Sequence, residues 1–205
     1  MANVLTGGAP LKGARAAAIL VHGRGASARD ILSLGDEFGQ DDIAYLAPQA
    51  AGGSWYPYSF LAPLAQNEPH LGNALGVVGA TLDYLAREGF APERVALIGF
   101  SQGGCLALEY AARNAKRYGA VAGLSAGLIG PPGTPRAYPG SLAGTPVFLG
   151  CSDVDGHVPL ARVHESRDVL GKLGAAVTER IYPGMGHTVN ADEVEAVAAL
   201  LKRIV

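Results

Sequence analysis

The apolar run Val95-Ala96-Leu97-Ile98 ends in Gly99-Phe100-Ser101-Gln102-Gly103-Gly104, and Cys105, Leu108, Ala112 and Ala115 then follow on one helical face. Strand, sharp turn and helix succeed one another without a spacer. A helix entered this directly from a strand is the crossover of a parallel sheet, because it carries the chain back to begin the next parallel strand. Glycine at both second neighbours of Ser101 suits a turn too tight for Cβ atoms and leaves the hydroxyl at its tip.

The same alternation runs along the rest of the chain. Residues 16–21 are continuously apolar, as are 43–47, 120–124 and 146–149, and this marks strands buried on both faces. Between them, Ile31, Leu34 and Phe38 repeat at helical spacing, as do Leu71, Leu75, Val78, Leu82 and Leu85, and also Leu160, Val163, Leu170 and Leu173. Ser27 with Asp30, and Asn190 with Glu193, have the spacing of capping boxes at two helix starts. Residues 177–182 alternate apolar with Thr178 and Arg180, as an exposed edge strand does. The expectation is an α/β fold with a mostly parallel sheet and helices on both faces. No repeat or linker divides the chain, so residues 1–205 are read as a single domain, long enough to bury about 70% of the unfolded surface.

Composition removes several classes of function. Hydrophobic residues are 49% and charged residues 17%, against disorder, and a formal net charge of −2 without basic runs offers nothing to nucleic acid. The first residues lack a basic segment followed by an apolar one, and no apolar stretch reaches membrane-span length, so a cytoplasmic protein without stable membrane insertion is expected. Cys105 and Cys151 have no CxxC or His-paired spacing; they read as buried free thiols, and neither a metal nor a cofactor is expected.

Chemistry-bearing residues collect where the predicted strands end. His22-Gly23-Arg24-Gly25 follows the first apolar run and precedes a helix, so its N–H groups are free to face an anion; phosphate-loop spacings are missing. His22 itself reads as a hydrogen-bonded brace. Residues 48–70 form a long connection holding Trp55, Tyr56, Tyr58 and Phe60; Trp55 and Tyr56 are candidates for a pocket wall beside Ser101, the alternative being an aromatic cluster folded onto the body as core. A second Gly/Pro-rich connection, 125–145, is expected to run over the rim of the site. Asp153 and Asp155 both follow the strand at 146–150, and either could orient a histidine. His187 lies between the last strand and the last helix. Serine, aspartate and histidine in that chain order is the order of α/β-hydrolases, whose oxyanion hole would here take the N–H groups of Arg24 and Gln102.

His22-Gly23-Arg24-Gly25, Gly99-Phe100-Ser101-Gln102-Gly103-Gly104, Asp155-Gly156-His157-Val158-Pro159 and Gly186-His187 resemble the blocks of the phospholipase/carboxylesterase family. The resemblance spans nearly the whole chain and implies an α/β-hydrolase fold without a large cap domain. It further implies Ser101 as nucleophile, His187 as base and Asp155 as its partner. Ser152-Asp153 before Asp155 and Gly156 after it depart from the thioesterase members, and the aromatic connection is closer to bacterial carboxylesterases. The expected function is hydrolysis of short- to medium-chain carboxylic esters through an acyl-enzyme, with a small-molecule ester as partner. Lysophospholipase or acyl thioesterase activity is the alternative. A dienelactone-hydrolase-like enzyme would carry cysteine at position 101, and a ligand receptor would not need the three residues together. The sequence leaves a homodimer open.

Overall fold

Uninterrupted apolar runs become strands because both of their faces meet helices. In the computed structural model, which describes residues 3–205, all six residues of β2 (Ala16–Val21) are buried, as are those of β3 (Ile43–Pro48). The same holds for β5 (Ala120–Leu124) and for all but one residue each of β4 (Val95–Phe100) and β6 (Pro146–Ser152). β7 (Ala176–Tyr182) alternates in exposure as its sequence does. The sheet order is β1-β3-β2-β4-β5-β6-β7, parallel except for β1 (Val4–Gly8), which runs antiparallel beside β3. The opening strand is absent from the sequence expectation. It is half exposed, ends in two glycines and is recruited mainly through backbone pairing with β3, with Val4 alone packing on the core, so it carries no apolar period to read.

The helices divide between the two faces. α1 (Ala28–Glu37) and α6 (Ala191–Lys202) cover one face, where Ile31, Val197 and Leu201 pack with Ala16, Ala18 and Leu20 of β2. α3 (His70–Arg87), α4 (Gln102–Arg113) and α5 (Leu160–Lys172) cover the other, where Leu71, Leu82, Leu106 and Val163 pack with Ala17, Ile19 and Val21. Successive residues of one strand thus feed two apolar layers, and a fully buried leucine such as Leu20 contributes about 2 kcal/mol. Both capping boxes form, at Ser27 with Asp30 and at Asn190 with Glu193.

The two long connections are more ordered than expected. Residues 48–70 hold a single 3-10 turn, Ala51–Gly53, and the short helix α2 (Leu64–Asn67) before α3 begins. Residues 125–145 do not line the cavity beside Ser101. Residues 125–130 are buried, because Arg162 of α5 donates to the Leu128 and Gly130 carbonyls and Glu109 of α4 accepts the Ile129 N–H at 3.0 Å. Among the described residues no segment forms a separate cap.

Candidate active site

The β4–α4 junction exposes a hydroxyl by steric force. A Cβ at Gly99 would strike the backbone of Gly103, and one at Gly103 would strike the Val21 carbonyl, so only glycine permits the helix to start so close to the sheet. Ser101 between them has φ 53° and ψ −122°, a conformation that costs a non-glycine residue on the order of 1–3 kcal/mol. Its N–H donates to Leu124 O at 2.9 Å and its carbonyl accepts from Cys105 N at 2.9 Å, so the surrounding structure enforces that strain. The helix begins at Gln102, three residues before the position at which the apolar spacing becomes visible.

Ser101, His187 and Asp155 come together from three strand ends. The Ser101 hydroxyl lies 2.8 Å from His187 Nε2, and His187 Nδ1 lies 2.7 Å from Asp155 Oδ2. These partners define one tautomer: Nδ1–H donates to the carboxylate and Nε2 accepts the serine proton. The other carboxylate oxygen, Oδ1, accepts the N–H groups of His157 at 2.8 Å and Val158 at 3.0 Å, which turns Oδ2 toward the imidazole. The Asp155 side chain is fully buried. Burial pushes its pKa up, but the hydrogen bonds from His187 and the two backbone N–H groups outweigh it and hold the carboxyl below its ordinary value.

Asp153, the other carboxylate after β6, does not bond His187. Its Oδ1 accepts Gly184 N–H at 2.8 Å, and the neighbouring Ser152 Oγ accepts Gly186 N–H at 3.1 Å. The pair pins the loop that carries His187, a role that sequence reasoning missed. The available signal was register, since Ser152 stands opposite Tyr182 at the end of β7 and the side chains that follow reach the next loop.

Arg24 and Gln102 both border the cavity beside Ser101, and their N–H groups make no hydrogen bond among the described residues. Gln102 is the first residue of α4, where the helix dipole favours negative charge. Their side chains have a second use that the sequence did not show. Arg24 donates to the carbonyls of Tyr56, Pro57 and Tyr58, while the Gln102 amide donates to Tyr56 O at 2.8 Å and accepts Trp55 N–H at 2.9 Å. The two residues that offer free N–H groups therefore also hold the aromatic segment in place.

That segment corrects one expectation. Trp55 does not line the cavity beside Ser101: it is buried, its indole N–H donates to His22 O at 2.9 Å, and its ring lies 5.0 Å from the His22 imidazole. With its bulk and N–H both satisfied inside the core, the indole packs there and forms no wall of the cavity beside Ser101. Tyr56 does border the cavity, together with Tyr58, Phe60, Val158 and His157, in a volume of about 570 Å³. His22 acts as the expected brace; Nε2 accepts Ala50 N–H at 3.1 Å, Nδ1 lies 2.7 Å from Gly23 O, and burial lowers its pKa. Both thiols are free and buried, and burial pushes each up to about 12, so neither competes as a nucleophile. Among the described residues no group of side chains could hold a metal ion.

An activated serine next to free N–H donors and an aromatic cavity can carry out acyl transfer. A phospholipase/carboxylesterase from Dyadobacter fermentans is 42% identical in sequence, covers 98% of this chain and 96% of its own, and superposes with a TM-score of 0.94. Acyl-protein thioesterase 1 of Gibberella zeae is 33% identical over 56% of this chain, and its Saccharomyces cerevisiae counterpart 28% identical over 64%. The matched stretches span 50% and 59% of those two curated relatives. The family model for phospholipase/carboxylesterase matches residues 8–205, and the chain belongs to that family.

Proposed function

We propose that this protein is a serine carboxylesterase that hydrolyses small-molecule esters of short to medium acyl chain, acting as one domain in the cytoplasm. The observation that carries the reading is the unbroken hydrogen-bonded chain from buried Asp155 through His187 to the strained Ser101. Two free thiols support a reducing compartment. As the Ser101 oxygen attacks the ester carbonyl, its proton passes to His187 Nε2, and Asp155 stabilises the imidazolium that forms. Negative charge then appears on the carbonyl oxygen, where the Arg24 and Gln102 N–H groups receive it; losing one such donor costs about 10²–10³ in rate. His187 gives its proton to the leaving alcohol. It next takes one from a water that attacks the acyl-serine, which releases the acid and restores Ser101.

A cavity walled by Tyr56, Tyr58, Phe60 and Val158 supports an acyl preference limited by length. Each methylene adds about 0.8 kcal/mol only while it finds apolar surface to cover. Across a p-nitrophenyl ester series, kcat/KM is expected to climb over the first few carbons and then flatten. Ser101→Ala is expected to lower kcat by several orders of magnitude with folding retained, since the hydroxyl contributes little to stability. A steady climb to palmitoyl length, or a Ser101→Ala protein that keeps its activity, contradicts the reading. Acyl thioesters are the second reading, favoured by the fungal relatives, and matched ester and thioester pairs of equal chain length decide between them.

A further inference from the structure

Glu193 is fully buried, makes no ion pair among the described residues, and takes no part in the acyl-transfer steps above. Its Oε2 accepts the Asn190 N–H at 2.9 Å and its own N–H returns to Asn190 Oδ1 at 3.0 Å, which closes the first turn of α6. The second oxygen, Oε1, has no hydrogen-bond partner among the described residues. It lies against Gly150 so closely that a Cβ there would collide with it. Gly150 is also tied to the catalytic loop, because its carbonyl accepts Ser125 N–H at 2.7 Å while Ser125 Oγ donates to Thr188 O at 3.3 Å. Thr188 follows His187 directly, and Asn190 stands three residues after it.

We propose that Glu193 is a positioning residue for His187: seated on Gly150 and closed on Asn190, its buried carboxyl holds the β7–α6 loop that keeps the imidazole on Ser101. An ionised carboxylate with one oxygen unpartnered in an apolar layer is strongly disfavoured, and it is relieved when the first turn of α6 moves toward water. That movement takes Asn190 and the loop with it.

The surroundings supply no counter-charge. β5 contributes no titratable side chain, β6 contributes Cys151 and β7 Tyr182, and the adjacent residue of α6 is Asp192. The β7 cation Arg180 is engaged by Asp192, and α1 presents only Asp30 and Glu37 across the groove beside Asn190 and Val194. Cys151 separates Glu193 from Asp155, to whose Oδ2 its thiol points at 3.7 Å. Burial raises the Glu193 pKa to about 7; the Asn190 N–H pulls it down and Asp192 adds to the rise. Because the folded carboxyl keeps its proton to about pH 7 and the ordinary value is 4.5, its stabilising contribution is complete below 4.5 and is lost as pH rises through 7.

The kinetic arm of the test rests on the esterase reading; the spectroscopic arm does not. Glu193→Gln keeps an acceptor for Asn190 and fixes the uncharged state. Its kcat/KM on p-nitrophenyl butyrate is read at each pH as a ratio to that of the unsubstituted enzyme. That ratio is expected to be about 1 near pH 5.5 and to rise about fivefold between pH 6 and 8, with KM little changed. A ratio that stays flat across this range, as a merely structural role would give, overturns the proposal. Should the variant fail to fold, carboxyl-¹³C-labelled glutamate in the unsubstituted protein decides by NMR. One glutamate is expected to titrate near neutrality, with the His187 and Thr188 amide signals shifting at the same midpoint. Amide signals that stay still through that titration overturn the proposal. If the unsubstituted enzyme hydrolyses no ester at any pH, the esterase reading fails while the NMR outcome still judges the positioning role.

Discussion

Ser101 stands on a turn packed so tightly that Gly99 and Gly103 leave no room for a Cβ, whereas His187 stands on a half-buried loop whose N–H groups donate to Ser152 and Asp153 and whose Thr188 carbonyl accepts from Ser125. One side of the site is set by excluded volume and the other by polar ties. Steric placement is all-or-none, because close-packed backbone cannot yield by half a methyl group. Polar placement is graded, because each tie contributes on the order of 1 kcal/mol and the others remain when one is lost. Ser101 is thus fixed while His187 can be tuned.

Asp155→Asn carries the largest expected effect on the base side. The amide cannot accept the His187 Nδ1 proton as a carboxylate does, the imidazole loses its working tautomer, and kcat is expected to fall about 10⁴-fold, with the fold retained but Tm lowered near neutral pH. The lowered pKa of Asp155 adds an acid-limb prediction with a definite sign. Its contribution to stability is complete above the ordinary carboxyl value and is lost as pH falls through the folded one, so the difference in Tm between enzyme and variant should shrink in acid. A difference that grows there argues against the hydrogen bonds seen at Asp155.

Gly103→Ala tests the steric side. The added Cβ meets the Val21 carbonyl, the elbow has to open, and both Tm and kcat should drop, kcat by about 10²-fold through misplacement of Ser101. An alanine tolerated in both measurements would remove the contrast between the two sides. Asp153→Ala carries the smallest effect. It removes one tie, the Gly184 N–H, and is expected to lower kcat about tenfold with KM and Tm nearly unchanged. If Asp153→Ala proves more damaging than Asp155→Asn with the fold retained, the acid has been assigned to the wrong residue.

The same contrast explains what was legible in the sequence. Strands β2 to β6 could be read because unbroken apolar runs have few other homes, β7 because its sequence alternates as its exposure does, and the starts of α1 and α6 because Ser27 with Asp30 and Asn190 with Glu193 are local devices. The elbow was legible because its two glycines flank Ser101 within five residues, although the clash that fixes Gly103 comes from the distant Val21 carbonyl. Strand β1 was not, since Val4–Gly8 joins the sheet by backbone pairing with β3 and keeps no buried face. Trp55 was misread because an aromatic in a long connection looks the same whether it faces a ligand or the core. What decides is an indole N–H reaching His22 O, 33 positions away. The inward fold of residues 125–130 depends likewise on Arg162 and Glu109, charges that spacing alone does not connect to that segment.

The central claim is that the geometry at Ser101 makes this one hydroxyl a nucleophile. An alkyl fluorophosphonate reacts with an activated serine and leaves an ordinary turn serine untouched, so peptide mass mapping after brief exposure tests that claim most directly. The account predicts one phosphonyl adduct per chain, on the peptide carrying Ser101. An adduct on another residue, or none under conditions where the ester is hydrolysed, contradicts it.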